Sequence, residues 1–203
     1  MHATLAKIAF SEQELLLANN REWILTKHSI ISKVEQLLAN LITHQQHTFA
    51  PILNNCTNQS PNPKISKGEK YQLLPYVILD YPRIFSTTQT LAIRCMFWWG
   101  NFYSISLQLS GDFQQNHTEH LIKNFALLQQ HDFYISVHTS PWEHDFLPQH
   151  TISLNNWQIN DFTFFIQRHP FIKITKKIPL KQWDEVTIFF EQHYEILVKI
   201  LTN

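Results

Sequence analysis

The sequence predicts an α+β fold, an antiparallel sheet of five or six strands with N-terminal and C-terminal helices packed on one face. Long amphipathic segments lie near both ends of the chain, at residues 20–41 and 180–201. Between them, short runs rich in aromatic and β-branched residues alternate with turn signals, which is typical of antiparallel strands. A chain of 203 residues, 44% of them hydrophobic, can bury a core of its own, so we expect one domain over residues 1–203.

The first helices are predicted from capping and periodicity. Ser11 and Glu14 have the spacing of a capping box, which predicts a short helix through the three leucines that begin at Leu15. The helix expected over residues 20–41 carries a wide apolar stripe, formed by Trp23, Ile24, Ile30, Ile31, Val34, Leu37, Leu38 and Leu41. A stripe of this width predicts that the helix packs against the sheet or against another helix.

Residues 43–74 differ in composition from the segments on either side. They are rich in Asn, Gln, Ser and Pro and show no sustained hydrophobic period. A connection of about 30 residues is long for a compact domain, and such segments tend to be lids, binding loops or linkers. We therefore expect a long loop or lid over residues 43–74.

The central hairpin is predicted from Gly100-Asn101, which separates two apolar runs within residues 91–109. A glycine followed by an asparagine favours a two-residue turn, because glycine adopts the positive φ that such a turn needs. This turn would place Arg94 opposite Leu107. One face of the hairpin would then carry Arg94 among apolar side chains, which include Met96, Trp98, Tyr103, Ile105, Leu107 and Leu109.

The other strands are predicted from shorter patterns. Residues 75–81 predict a strand that ends at Pro82, since proline cannot donate a hydrogen bond to a neighbouring strand. Beyond the central hairpin we expect, in order, a helix (117–131), a strand (133–138), an irregular segment (139–160) and a second hairpin (162–167 and 171–178).

Arg94 makes the clearest chemical demand in the sequence, because an arginine on a buried sheet face is costly unless it is paired. One interpretation is an internal ion pair with Asp80 from the preceding strand. A second makes Arg94 a fork that holds the carboxylate or phosphate of a small ligand, with Asp80 beside it and Tyr76, Trp98 and Tyr103 as the walls of the site. A third leaves Arg94 at the surface through a different hairpin register.

Twelve histidines occur in the chain, and those around residues 139–160 raise the question of a metal site. His138, Glu143 and His144 offer the two histidines and one carboxylate that a catalytic zinc or iron takes. Their spacing matches no strong metal-binding signature, and the abundance of histidine elsewhere favours surface positions. We therefore predict no metal and keep these three residues as candidate ligands.

The charge, glycine and cysteine contents exclude several classes of function. The 16 basic and 16 acidic residues cancel and no basic run occurs, so we expect neither nucleic acid nor a membrane surface as a partner. The three glycines, Gly68, Gly100 and Gly111, do not have the short spacing that a phosphate-binding loop, a dinucleotide fingerprint or a nucleophile elbow needs. Two cysteines make no disulfide framework, and no apolar run reaches about 18 residues, so we expect a soluble cytoplasmic protein.

Three hypotheses for function follow from these patterns. The first is a small-molecule-binding domain that takes an anionic or aromatic ligand between the central hairpin and residues 43–74. The second is a metal-dependent enzyme that uses His138, Glu143 and His144. The third is a protein-interaction or homodimerisation module, in which the second hairpin or the C-terminal helix presents an apolar surface to another copy. No motif specifies a cofactor or a reaction.

Overall fold

A seven-stranded sheet forms the centre of the molecule in a computed structural model, which describes residues 8–57 and 60–202. The helices are α1 (Glu12–Ala18), α2 (Arg21–Thr57), α3 (Asp112–Lys123), α4 (Phe125–Gln130), α5 (Ile159–Ile166) and α6 (Val186–Thr202). The strands are β1 (Lys64–Gly68), β2 (Tyr76–Phe85), β3 (Thr90–Trp98), β4 (Phe102–Ser110), β5 (Tyr134–Ser136), β6 (Thr151–Ser153) and β7 (Phe171–Pro179). Three short 3₁₀ turns lie at Tyr71–Leu73, Leu154–Asn156 and Leu180–Glu185.

The strand order in the sheet is β1-β2-β3-β4-β7-β5-β6, and each neighbouring pair is antiparallel. The predicted α+β class and antiparallel sheet are therefore confirmed for the described residues. The number of strands is seven rather than five or six, because β1 and β6 lie in segments expected to be irregular. Strands of three to five residues carry too few alternations to produce a clear hydrophobic period.

The apolar core lies between one face of the sheet and the helices. The central strands contribute the alternate residues Ile93, Cys95, Phe97, Ile105 and Leu107 to this face. Helices α2 to α6 cover it with the buried side chains Val34, Leu38, Leu121, Leu128, Phe162, Phe190 and Leu197. We call this side of the sheet the helix face and the other side the polar face.

Residues 43–74 do not form a loop along their whole length. Helix α2 continues to Thr57, and its buried side chains recur every fourth residue, at Leu41, Gln45, Phe49, Leu53 and Thr57. Strand β1 follows and pairs with β2. The helical period was hidden because polar residues occupy two of these buried positions and a proline lies between them, at Pro51. Two residues of the predicted loop, 58 and 59, lie outside the described residues.

The central hairpin is closed by a three-residue loop rather than a two-residue turn. Trp98 lies opposite Phe102, and Arg94 lies opposite Ser106 instead of Leu107. The backbone N–H of Asn101 donates to the carbonyl of Trp98 at 3.1 Å, with Gly100 at φ +72° between them. A shift of one residue exchanges the two faces of a strand, so the polar face of β4 carries Phe102, Ser104, Ser106 and Gln108.

Two further predictions are wrong at particular residues. Strand β2 does not end at Pro82 but continues to Phe85, with an irregular register between Asp80 and Arg83. The predicted second hairpin is absent from the described part of the chain, because residues 159–166 form helix α5 ahead of β7. Phe162 and Ile166, both fully buried, have the spacing of one helical turn.

The N-terminal helices leave apolar surface uncovered. Helix α1 has no buried residue, and the exposed large side chains of this region are Ile8, Phe10, Leu15, Leu16, Leu17, Trp23, Ile24 and Leu25. The prediction that Trp23 and Ile24 belong to the core is therefore wrong, whereas the closing helix α6 buries nine side chains.

Homodimerisation stays a prediction. In the described ranges, no helix combines the length and the apolarity that a bilayer-spanning segment needs.

Candidate functional site

A pocket of about 500 Å³ opens on the polar face of the sheet, above β2 and β3. Its outer wall is residues 137–150, the segment that joins β5 to β6, which we call the β5–β6 segment. The aromatic lining residues are Tyr71, Tyr76, Phe85 and Trp142, and the ionisable ones are Asp80, Arg83, Arg94 and His144. Ile78 and Met96 add apolar surface from the sheet.

An ion pair between Arg94 and Asp80 forms the floor of this pocket. The two residues lie directly opposite each other on β3 and β2. Arg94 Nε donates to Asp80 Oδ1 at 2.7 Å, and Nη2 donates to Oδ2 at 2.9 Å. Both side chains are at most 10% exposed, and bidentate pairs of this kind are among the stronger polar contacts. The interpretation of Arg94 as an internal partner of Asp80 is confirmed.

His144 lies between Arg94 and a buried lysine. Its Nε2 is 3.2 Å from Arg94 Nη1, and its Nδ1 is 3.0 Å from Lys173 Nζ. Burial, reinforced by the positive charge of Arg94, holds the pKa of His144 well below its usual value, so the imidazole is neutral. A guanidinium can only donate, so Nε2 accepts and the single imidazole hydrogen lies on Nδ1.

In its neutral form, Lys173 therefore acts as an acceptor as well as a donor. Its Nζ contacts the carbonyl oxygens of Pro141, at 3.2 Å, and of Glu143. A neutral amine has two hydrogens for these two carbonyls and one lone pair for the Nδ1–H of His144. Burial, reinforced by the charge of Arg94, lowers the pKa of Lys173 to about 7, against the opposing carboxylates of Glu143 and Asp145. We call Asp80, Arg94, His144 and Lys173 the polar network.

Tyr71 attaches the β5–β6 segment to the rest of the site. Its hydroxyl donates to the Glu143 carboxylate and accepts the backbone N–H of His144 at 2.9 Å. Its ring packs on Trp98, with 4.9 Å between ring centroids. Burial and the contact with Glu143 raise the pKa of the Tyr71 hydroxyl, so this group stays a donor at neutral pH.

The structure places three of the five predicted ligand-binding residues in the pocket. Arg94, Asp80 and Tyr76 line it. Trp98 shares their face but is buried beneath Tyr71 and Phe102. Tyr103 is wrong as a wall residue, because the hairpin register turns it to the helix face, where its ring contacts Phe190.

Sequence reasoning missed several residues of the site, among them Tyr71, Arg83, Phe85, Trp142 and Lys173. Lys173 alternates with the buried Ile172 and Ile174 along β7, a pattern that usually marks a solvated face. Trp142 belongs to a segment without any period, so no signal in the sequence tied it to the sheet.

The candidate metal ligands do not converge. His144 is engaged by Arg94 and Lys173, and Glu143 accepts from Tyr71. His138 Nδ1 instead accepts the backbone N–H of Ser140 at 2.9 Å. Across residues 8–57 and 60–202, no group of three or more His, Cys, Asp or Glu side chains is placed to hold a metal ion.

Comparison with known proteins adds no assignment. No protein-family model matches this chain, and no curated protein matches it. The features of the site that bear on function are a cavity of small-molecule size, aromatic walls and an arginine with unused N–H groups.

Proposed function

We propose that the protein binds a small aromatic carboxylate in the pocket above β2 and β3. The observation that carries this proposal is the position of Arg94, whose hydrogen bonds to described residues use three of its five N–H groups. The remaining two belong to Nη1 and Nη2, at the floor of a cavity of about 500 Å³. Small-molecule sites usually measure about 300–1,000 Å³ and contain a few fixed polar groups.

The walls of the pocket favour a flat ring. Phe85 and Trp142 pack against each other, with 5.7 Å between their ring centroids, and both lie on one side of the guanidinium, 6.0 and 5.7 Å from Arg94 Cζ. Tyr76 lines the same cavity. An aromatic ligand placed against this pair of rings gains offset or edge-on contacts in addition to the burial of its apolar surface.

The charges in the pocket favour an anion over a cation. Asp80 and Arg94 cancel each other as a bidentate pair, and His144 is neutral. Arg83, which is exposed like Trp142, also lines the pocket, and its guanidinium lies 5.3 Å from the Phe85 ring centroid. It leaves the lining with a net positive charge, and arginine is well suited to hold a carboxylate in a fixed orientation.

Titration calorimetry with benzoate and its neutral analogue benzamide tests this proposal. We expect benzoate to bind more tightly than benzamide, because only the carboxylate engages the arginines. Arg83→Gln should weaken benzoate about tenfold, the loss typical of one charge-assisted contact, and should leave benzamide unchanged.

The matched control is Arg168→Gln. Arg168 also lies over a phenylalanine ring, that of Phe164 at 3.8 Å, but lies outside the pocket lining. This variant should bind benzoate like the wild type. Absence of benzoate binding, or an equal loss in both arginine variants, would contradict the proposal.

A further inference from the structure

An anion that binds the free N–H of Arg94 Nη1 meets a neighbouring atom, His144 Nε2, that has no hydrogen to offer it. These two nitrogens are 3.2 Å apart, both residues line the pocket, and Nε2 accepts from Nη1. A carboxylate oxygen placed against both atoms needs a hydrogen on each. Nη1 has one, but Nε2 has only a lone pair as long as the hydrogen of the imidazole lies on Nδ1.

We propose that the pocket takes up one proton together with each carboxylate, with Lys173 as the group that becomes charged. This inference rests on the proposed function. In the bound form His144 carries its hydrogen on Nε2, so that Nε2 and Arg94 Nη1 both donate to one carboxylate oxygen.

The proton balance follows from the contacts of His144. Nε2 takes a proton from the pocket, and the hydrogen on Nδ1 passes to Lys173 Nζ, 3.0 Å away. Lys173 changes from an amine to an ammonium, while the imidazole stays neutral in its other tautomer. The ammonium then has three hydrogens for three acceptors, namely the carbonyls of Pro141 and Glu143 and the freed lone pair of Nδ1. The sum is one proton gained from solvent.

The groups that face Lys173 decide how readily it accepts this proton. Arg94 on β3 opposes the ammonium, whereas the carboxylates of Glu143 and Asp145 in the β5–β6 segment favour it. Gln108, opposite Lys173 on β4, is uncharged. Burial places the pKa of Lys173 at about 7, so the added negative charge of a bound carboxylate, transmitted through His144, acts on a group already close to its titration point.

Calorimetry of benzoate binding in two buffers of different ionisation enthalpy counts the protons directly. The wild-type protein should take up about one proton per benzoate at pH 8 and almost none at pH 6, where Lys173 is already charged. The affinity for benzoate should rise about tenfold from pH 8 to pH 6. The fraction of the protein in which Lys173 is already charged grows by about that factor around a pKa of about 7.

Two lysine variants assign the proton. Lys173→Met should abolish the uptake and make benzoate affinity independent of pH between 6 and 8. Lys177→Met removes a lysine from the same face of β7, where Nζ lies over the Phe102 and Phe146 rings, and should leave the count unchanged. The proton uptake of the wild-type protein is measured without either variant, so it tests the inference even if a variant fails to fold.

The outcomes separate this inference from the proposed function. Benzoate binding at pH 8 without proton uptake, or uptake that persists in Lys173→Met, overturns the inference and leaves the carboxylate site standing. Absence of benzoate binding at both pH values overturns the two together.

Discussion

The central strands are buried on both faces of the sheet, but the two faces are covered in different ways. Every residue of β3 is buried, with Ile93, Cys95 and Phe97 beneath helices and Arg94 beneath the β5–β6 segment. The helices satisfy their own backbone groups, so the helix face needs to supply only apolar surface. An irregular segment has carbonyls and N–H groups without internal partners, and buried groups of that kind must be paired.

The polar side chains of the second face supply those partners. Lys173 donates to the carbonyls of Pro141 and Glu143, and the Tyr71 hydroxyl accepts the N–H of His144. The buried polar side chains of this protein therefore hold the β5–β6 segment in place as well as forming a pocket. The stability of the polar face should therefore depend on pairing and on pH, and that of the helix face on volume.

Arg94→Met gives the largest effect that this comparison predicts. It leaves the Asp80 carboxylate buried without its partner, and we expect a loss of about 4 kcal/mol in the free energy of unfolding. Adding Asp80→Leu should restore most of that loss, because an apolar pair of similar volume avoids the cost of burying charge. Urea denaturation of the single and double variants measures both values.

Leu107→Ala is the matched change on the helix face. Leu107 is fully buried, and its truncation should cost about 3 kcal/mol through lost burial and a cavity. Asp80→Leu should not reduce that cost, since the two sites lie on opposite faces.

If the double variant Arg94→Met with Asp80→Leu is as unstable as Arg94→Met alone, the argument that the buried pair governs stability is wrong.

Lys173→Met should alter how stability changes with pH. In the unfolded chain a lysine has a pKa near 10.4, whereas burial lowers the pKa of Lys173 in the fold to about 7. Between these values the unfolded chain binds more protons, so the unfolding free energy rises with pH. The difference between wild type and Lys173→Met should shift in favour of wild type by about 2 kcal/mol from pH 7 to pH 9.

Denaturation of both proteins at several pH values gives this difference, in which the other titrating groups cancel. Lys177→Met is the control, because Lys177 is exposed on the same strand and should give a smaller change. A constant difference between wild type and Lys173→Met across the range would mean that Lys173 is charged in the fold.

The ion pair could be predicted from the sequence, whereas the rest of the site could not. Asp80 and Arg94 are the two charges inside apolar runs of neighbouring strands, and a buried charge demands a partner. The faces of β4 were assigned wrongly because one extra loop residue, Trp99, shifts every later side chain. Lys173 has the alternating pattern of a solvated position, and alternation reveals two faces but not what covers each of them.

Gly100→Ala has the smallest predicted effect and concerns the loop that decides which residues share a face with Arg94. Gly100 has φ +72°, and an added Cβ would meet nothing within 4 Å, so the cost is conformational alone. We expect a loss of about 1 kcal/mol and a smaller loss for Gly100→Asn, because asparagine tolerates this region better. The register should persist, since a slip would turn Ser104, Ser106 and Gln108 towards the helices. Urea denaturation gives the stabilities, and benzoate affinity equal to wild type would report the retained register; an alanine variant more stable than wild type would mean that the loop has a negative φ at this position.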